Sequence, residues 1–189
     1  MENKTITIWL AGICLAIITT INTNAAGYIK FDGVDGESVA VKREGWSDIM
    51  SFNQGIHQPG GSATGATRRR GSATFDDLVV VKELDKASPK LAESVATGRV
   101  YPLVVMEMTA RTDAGERTYY KYELKNVLVT SYQIGSDNPD LLPMESFSLN
   151  FEEIKVTYTG LEFGGGEKPD PGTEYSWKVE EGKSVKSRR

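Results

Sequence analysis

From Tyr28 onward, apolar and polar residues alternate with a period of two in short runs separated by Gly, Asp, Asn and Pro clusters. Successive strand side chains point to opposite faces, so the pattern predicts an all-β barrel or sandwich of short strands. The first strand is Tyr28-Ile29-Lys30-Phe31, closed by the turn Asp32-Gly33-Val34-Asp35-Gly36. A second is expected from about Trp46 to Gln58, stopped by Pro59-Gly60-Gly61, and a third from Thr74 to Lys82. Tyr101 to Thr109 and Thr118 to Gln133 read as a hairpin turned at Asp113-Ala114-Gly115. In its second arm Tyr120, Tyr122 and Leu124 face inward while Lys121, Glu123 and Lys125 face water. Phe147, Leu149 and Phe151 share one parity, whereas Ile154, Val156 and Tyr158 have the other; one bulge at Glu152-Glu153 would return all six to one side. A last alternating strand follows a Gly/Pro linker through Tyr175, Trp177 and Val179.

One helix interrupts the strands. Ser88 is placed to cap it, Pro89 suits its first position and Gly98 its end. From Gly60 to Ser72 the chain carries only Gly, Ala, Ser, Thr and the arginines Arg68, Arg69 and Arg70. Nothing there can enter a core, which predicts a long loop over about 59–72 that binds something or is disordered.

Residues 1–26 have another character. Lys4 precedes a mostly apolar run from Ile6 to Ile21, followed by Asn22-Thr23-Asn24-Ala25-Ala26. This reads as a secretory signal cleaved after Ala25 or Ala26. The alternative is an uncleaved anchor, although the run falls short of the roughly 20 apolar residues a spanning helix needs. The single cysteine, Cys14, lies inside the run, so a cleaved chain has no disulfide. Ile13 before it is too bulky for lipid modification of that cysteine. The organisation is therefore a leader or anchor over 1–26, one β-barrel domain over 27–181 and a basic tail over 182–189.

The chain has 189 residues, 39% of them hydrophobic, enough for one globular domain with a real core. Its 26 acidic against 22 basic residues give no electrostatic reason to expect nucleic acid as a partner. Catalysis has little to work with: His57 is the only histidine and sits at a strand end beside the long loop. Asp76-Asp77 and Glu152-Glu153 are strand neighbours that point to opposite faces, so they read as solvated charges and not as an acid and base on one substrate. Asp32, Asp35 and Glu37 lack the spacing of a twelve-residue calcium loop. The glycine-rich loop has no Gly-Lys-Ser/Thr sequence to cradle phosphate. No catalytic, metal or cofactor residue is assigned. Arg68, Arg69 and Arg70 read either as a solvated loop or as a charged contact with a partner.

Several blocks resemble the haemolysin-coregulated tube protein (Hcp) family of type VI secretion systems. Tyr28 to Ser38 look like its opening strand and Gly-Glu-Ser turn, Glu44-Gly45-Trp46-Ser47-Asp48-Ile49 like its second strand, and Gln58-Pro59-Gly60 like the start of its glycine-rich loop. Most specific are Asp85-Lys86-Ala87-Ser88-Pro89-Lys90-Leu91 and Glu145-Ser146-Phe147-Ser148-Leu149-Asn150-Phe151, which begin 60 residues apart. Tyr175-Ser176-Trp177-Lys178-Val179 is similar to the terminal strand.

The resemblance implies a barrel of two packed sheets with one flanking helix, forming a hexameric ring that stacks with other rings into a hollow, non-enzymatic tube. It implies further copies of the chain, the sheath, the spike, the baseplate and effectors as partners, and the long loop as the place where ring meets ring. The leader departs from the family, whose tubes assemble in the cytoplasm without a secretory signal. Taken at face value it implies a secreted protein with the periplasm as intermediate, no stable membrane domain after cleavage, and a role as carrier or adhesion module outside the cell. A misassigned start would restore cytoplasmic assembly. No methionine lies between Met1 and Met50, and a start at Met50 would delete the first strand.

Overall fold

The computed structural model describes residues 25–58, 72–112, 115–136, 142–161, 172–179 and 182–184. The apolar run of the leader, the three arginines, Asp113-Ala114 and the Gly/Pro linker lie outside the described residues. In chain order the elements are β1 (Ala25–Phe31), β2 (Ser47–Ile49), β3 (Ser51–Asn53), β4 (Ile56–His57), β5 (Thr74–Phe75) and β6 (Leu78–Glu83). These are followed by α1 (Ser88–Thr97), β7 (Val100–Thr112), β8 (Gly115–Gly135), β9 (Met144–Tyr158), β10 (Thr173–Lys178) and β11 (Lys183–Ser184). β1 starts at Ala25, so Ala25 and Ala26, which the sequence reading set apart from the barrel domain, are rungs of the sheet, and Lys183 and Ser184 form β11.

The single strand expected over 46–58 is three pieces, because the chain changes neighbours at Met50. Before it, Ser47 and Ile49 pair with Ile29 and Gly27 of β1. At the corner the Met50 N–H donates to the Val81 carbonyl at 2.8 Å. Beyond it, Ser51 and Asn53 pair with Val81 and Val79 of β6. This switch closes the larger sheet, since β6 pairs with β9, β9 with β8, β8 with β7 and β7 with β1. A closed barrel leaves these strands no free edge. The strand expected over 74–82 is likewise two, divided at Asp76-Asp77: β5 pairs with β4 in a second, two-stranded sheet, and β6 belongs to the barrel.

β9 alternates inward at Glu145, Phe147, Leu149 and Phe151, then changes parity to bury Ile154 and Val156. No bulge accomplishes this. The β8–β9 register is the same on both sides of Glu152, with Val127 opposite Phe151 and Lys125 opposite Glu153. Both strands change parity together, β8 through Asn126, whose positive φ of 50° turns the backbone and whose amide donates to Glu152 at 2.6 Å. Buried residues Leu124 and Val127 are thus three apart, as are Phe151 and Ile154. Tyr158 remains half out, at 46% exposed. In β8, Tyr122 and Leu124 are buried as expected and Tyr120 is half-buried.

Inside the barrel, Phe31 meets Tyr101 and Phe147 edge to face at 5.1 and 5.9 Å. α1 packs against the barrel at β8, with Leu91 fully buried and Ser94 buried. Ser94 Oγ and the buried Tyr101 hydroxyl share a hydrogen bond. Ser88 does not cap α1: Ala87 occupies that position, and Pro89 lies just inside. The turn is closed earlier by Asp85, whose carbonyl accepts the Ser88 N–H at 3.0 Å and whose Oδ1 accepts the Ala87 N–H at 2.9 Å. Gly98 ends the helix with φ 67°, a left-handed conformation that costs glycine little. Among the described residues no helix is long and apolar enough to cross a membrane.

Candidate assembly surface and its supports

The long loop leaves and rejoins the barrel at β4 and β5, where Ile56 pairs with Phe75 and His57 with Thr74. Apolar packing braces this neck from below. The Phe75 ring stacks on Trp177 of β10 at 6.1 Å and meets Phe151 edge-on at 6.4 Å. Here the terminal strand anchors the base of the loop, a contact that the alternation of Tyr175, Trp177 and Val179 did not reveal. His57 Nε2 lies 2.8 Å from Asp76 Oδ2 on the outside of the neck, with side chains 69% and 51% exposed. So exposed a pair is worth little and encloses no substrate. Arg68, Arg69 and Arg70 belong to the loop itself, outside the described residues.

Asp77, Glu153 and Asp35, also singled out in the sequence, are occupied by neighbours. Asp77 accepts from Thr130 at 2.6 Å and Asn150 at 2.8 Å, and Glu153 from Lys125 at 2.8 Å. Asp35 pairs with Lys30 at 2.6 Å, and that hydrogen bond holds its carboxyl below the ordinary value. Among the described residues no group of three metal-ligating side chains converges.

Two buried charge clusters were not singled out from the sequence. The first centres on Lys82 in β6. Its side chain and that of Glu145 are 0% exposed, and Lys82 Nζ lies 2.7 Å from both Glu145 Oε1 and Asp85 Oδ1. Tyr132 of β8 donates to Glu145 Oε2 at 2.6 Å, and Ser47 of β2 donates to Asp85 Oδ2. Burial alone would raise the Asp85 carboxyl. Hydrogen bonds from Lys82 and Ser47, the Lys82 charge and the Ala87 N–H outweigh it and bring the carboxyl below its ordinary value. Burial and then the bond to Glu145 push the Tyr132 phenol well above its ordinary value. The parity of Leu78, Val80 and Lys82, and of Glu145, Phe147 and Leu149, was the available signal that both charges point inward.

The second cluster pins the segment between β1 and β2 to the barrel wall. Arg43 Nη2 donates to Glu107 Oε2 at 2.8 Å and Thr118 Oγ1 at 2.6 Å, Nη1 to Glu116 at 3.3 Å, and the guanidinium lies 5.0 Å over the Tyr28 ring. This explains why Tyr28 and Ile29, adjacent in β1, are both buried: the segment roofs Tyr28 from outside. Replacing Arg43 with alanine strands the half-buried Glu107 and should cost about 1–3 kcal/mol in urea unfolding, with earlier proteolysis within 37–44. An unchanged cleavage pattern would show that other contacts hold the segment.

With this geometry in hand, comparison with known proteins is decisive. The family profile described as "Type VI secretion system effector, Hcp" matches residues 28–158, more than half of the chain. The chain belongs to the Hcp family of type VI secretion proteins. The protein hcp1 of Pseudomonas aeruginosa is 28% identical over 154 residues, 80% of this chain and 93% of that protein. A solved type six secretion system protein superposes with TM-score 0.75 at 25% identity, covering 86% of this chain and 100% of the other. Hcp1 of Salmonella typhimurium shares the fold with TM-score 0.67 at 23% identity, over 85% and 99%.

Hcp proteins are secreted structural tube components and not an enzyme family. The two family blocks of greatest specificity, Asp85–Leu91 and Glu145–Phe151, meet in this structure at the Lys82 ammonium. Their shared chemistry is thus the attachment of α1 to the barrel.

Proposed function

We propose that the mature chain forms closed hexameric rings that stack into a hollow tube carrying effectors, with sheath, spike and baseplate as its other partners. The observation that carries this is the Hcp match across residues 28–158, the span of the closed barrel. In this reading the long loop, carried on its braced neck at β4 and β5, is the contact with a neighbouring ring. Arg68, Arg69 and Arg70 supply three positive charges to a chain of net charge −4, suited to an acidic face of the next ring. Neither nucleic acid nor a cofactor enters this reading.

Sedimentation and electron microscopy of residues 27–189 test it. The expected result is a hexameric mass at micromolar concentration and ring-shaped particles; a monomer at that concentration would refute it. Replacing Arg68, Arg69 and Arg70 together by serine should change stability by within about 0.5 kcal/mol, because the loop has no large apolar side chain. Ring stacking should weaken at low salt, and the difference should vanish near 1 M salt, where screening acts within about 3 Å. Parent-like stacking at low salt would make the arginines a solvated loop.

The apolar leader supports a second reading, in which the chain is exported through the periplasm and acts outside the cell as a carrier or adhesion module. A sheath and baseplate encoded beside the gene favour the tube, and their absence favours this alternative.

A further inference from the structure

The segment between β1 and β2 holds two apolar side chains out in water. Val39 is 91% exposed and Val41 74%, the highest values among the large apolar residues described. Yet the backbone around them is tied down. The Gly36 N–H donates to the Gly45 carbonyl and the Ser38 N–H to that of Trp46, both at 2.8 Å, and the Arg43 N–H closes a turn on the Ala40 carbonyl at 2.9 Å. Lys42 stands third in that turn with φ 70°, a left-handed conformation that glycine more often supplies. The Arg43 guanidinium then fastens the whole to Glu107 and Thr118. The shape of this tip is thus set by backbone bonds and by Arg43, and its two valines contribute little to the fold. Stiff β-branched side chains on a preorganised turn lose little freedom on binding, which suits them to fill a partner's groove.

A matching groove lies where β1, β2 and β7 meet. Its volume is about 320 Å³, its walls are Gly27, Ile49, Met50, Phe52, Met108 and Tyr119, and no charged residue lines it. Met50 is 65% exposed there. A single chain cannot bring its own tip and groove together. Tyr28, over which the tip holds the Arg43 guanidinium, and Gly27, which lines the groove, are successive residues of β1 and so face opposite sides of the wall. The charges beside the two surfaces are complementary. Lys42 follows the tip and Asp48 precedes Ile49 of the groove, and neither forms an ion pair among the described residues.

We infer that the tip carrying Val39 and Val41 on one copy seats in the groove beside Ile49 and Met50 on the next, and that this contact joins neighbours within the ring. Such a contact is head-to-tail, since each copy offers one tip and one groove, and it closes when the rotation between copies fits. The inference rests on the ring reading and specifies the surfaces that join its members; the arginine loop remains the contact between rings.

The test compares three proteins as recovered from cells: the parent, Val39→Asp combined with Val41→Asp, and Met50→Asp. The substituted positions are exposed, so unfolding free energies should stay within about 0.5 kcal/mol of the parent. A carboxylate forced into an apolar contact is costly, so each variant should associate at least about 100-fold more weakly and sediment as a monomer where the parent forms rings. Mixed in equal amounts at high concentration, the two variants keep one intact contact between them, the tip of the Met50→Asp chain in the groove of the other. The mixture should therefore form a two-copy complex and nothing larger. Rings from either variant, or a mixture that stays monomeric, would overturn the inference and leave the ring reading standing, whereas a monomeric parent would remove both. A photoreactive residue at position 50, in a mixture of isotopically labelled and unlabelled copies, identifies what fills the groove. It should link to residues 37–44 of a copy with the other label; a link to residues 1–24 would overturn the contact as well.

Discussion

Replacing Lys82 with methionine is expected to lower the unfolding free energy by about 3–5 kcal/mol at pH 7, the usual cost of removing one member of a buried charged set. Methionine fills similar space, so packing is largely kept and the loss isolates the charge. What remains is Glu145, fully buried with only the Tyr132 hydroxyl and no cation, and Asp85, which loses the partner that outweighed its burial. The pH dependence gives a second check. In the parent, Asp85 titrates below its unfolded value of about 3.9, so its contribution is complete above that pH and is lost as pH falls through the folded value. In the variant Asp85 keeps its burial but loses the Lys82 bond and charge, so protonation is favoured there and acid relieves it. The gap between parent and variant should therefore narrow from pH 7 toward pH 4. Urea midpoints at both pH values test this, and a gap under about 1 kcal/mol at pH 7 would show that the cluster contributes little.

Phe147→Ala should cost about 3–5 kcal/mol, the range for emptying a fully buried aromatic position. Phe147 stands where β9 is paired on both sides, with Val80 of β6 and Tyr132 of β8, and its ring meets Phe31 across the barrel. The surrounding strands are held by their ladders and cannot collapse into the space. Phe147→Leu, which keeps most of the volume, should lose only about 1 kcal/mol. Urea unfolding with an unchanged slope would confirm that stability alone has moved. An alanine variant as stable as the leucine one would mean that the site repacks.

Much of the fold was legible from alternation because each strand has one wet and one dry face. Tyr122 and Leu124, or Phe147 and Leu149, show their burial in the local sequence. Helix α1 was legible for a similar reason, with Pro89 and Gly98 acting through their own backbone geometry. Its start was misplaced by one residue because Ser88 Oγ turns back to accept the Asp85 N–H at 3.0 Å and does not cap the helix. The corner at Met50 carries no Gly or Pro. It exists because β1 and β6 lie on either side of it, and neither is near in sequence.

The candidate site divides in the same way. The composition of 60–72 marks a loop that cannot enter a core, whereas the bracing of its neck by Phe75, Phe151 and Trp177 joins residues far apart in the chain. Strand parity pointed Lys82 and Glu145 inward, but that they compensate each other depends on β6 lying beside β9. By itself, then, the sequence determined the β class, the helix and the family, all of which rest on local periodicity, turn chemistry or contiguous motifs. Barrel closure and the shared ammonium were decided only in the tertiary structure, because each depends on which strands become neighbours, and that choice is made by the packing of the whole chain.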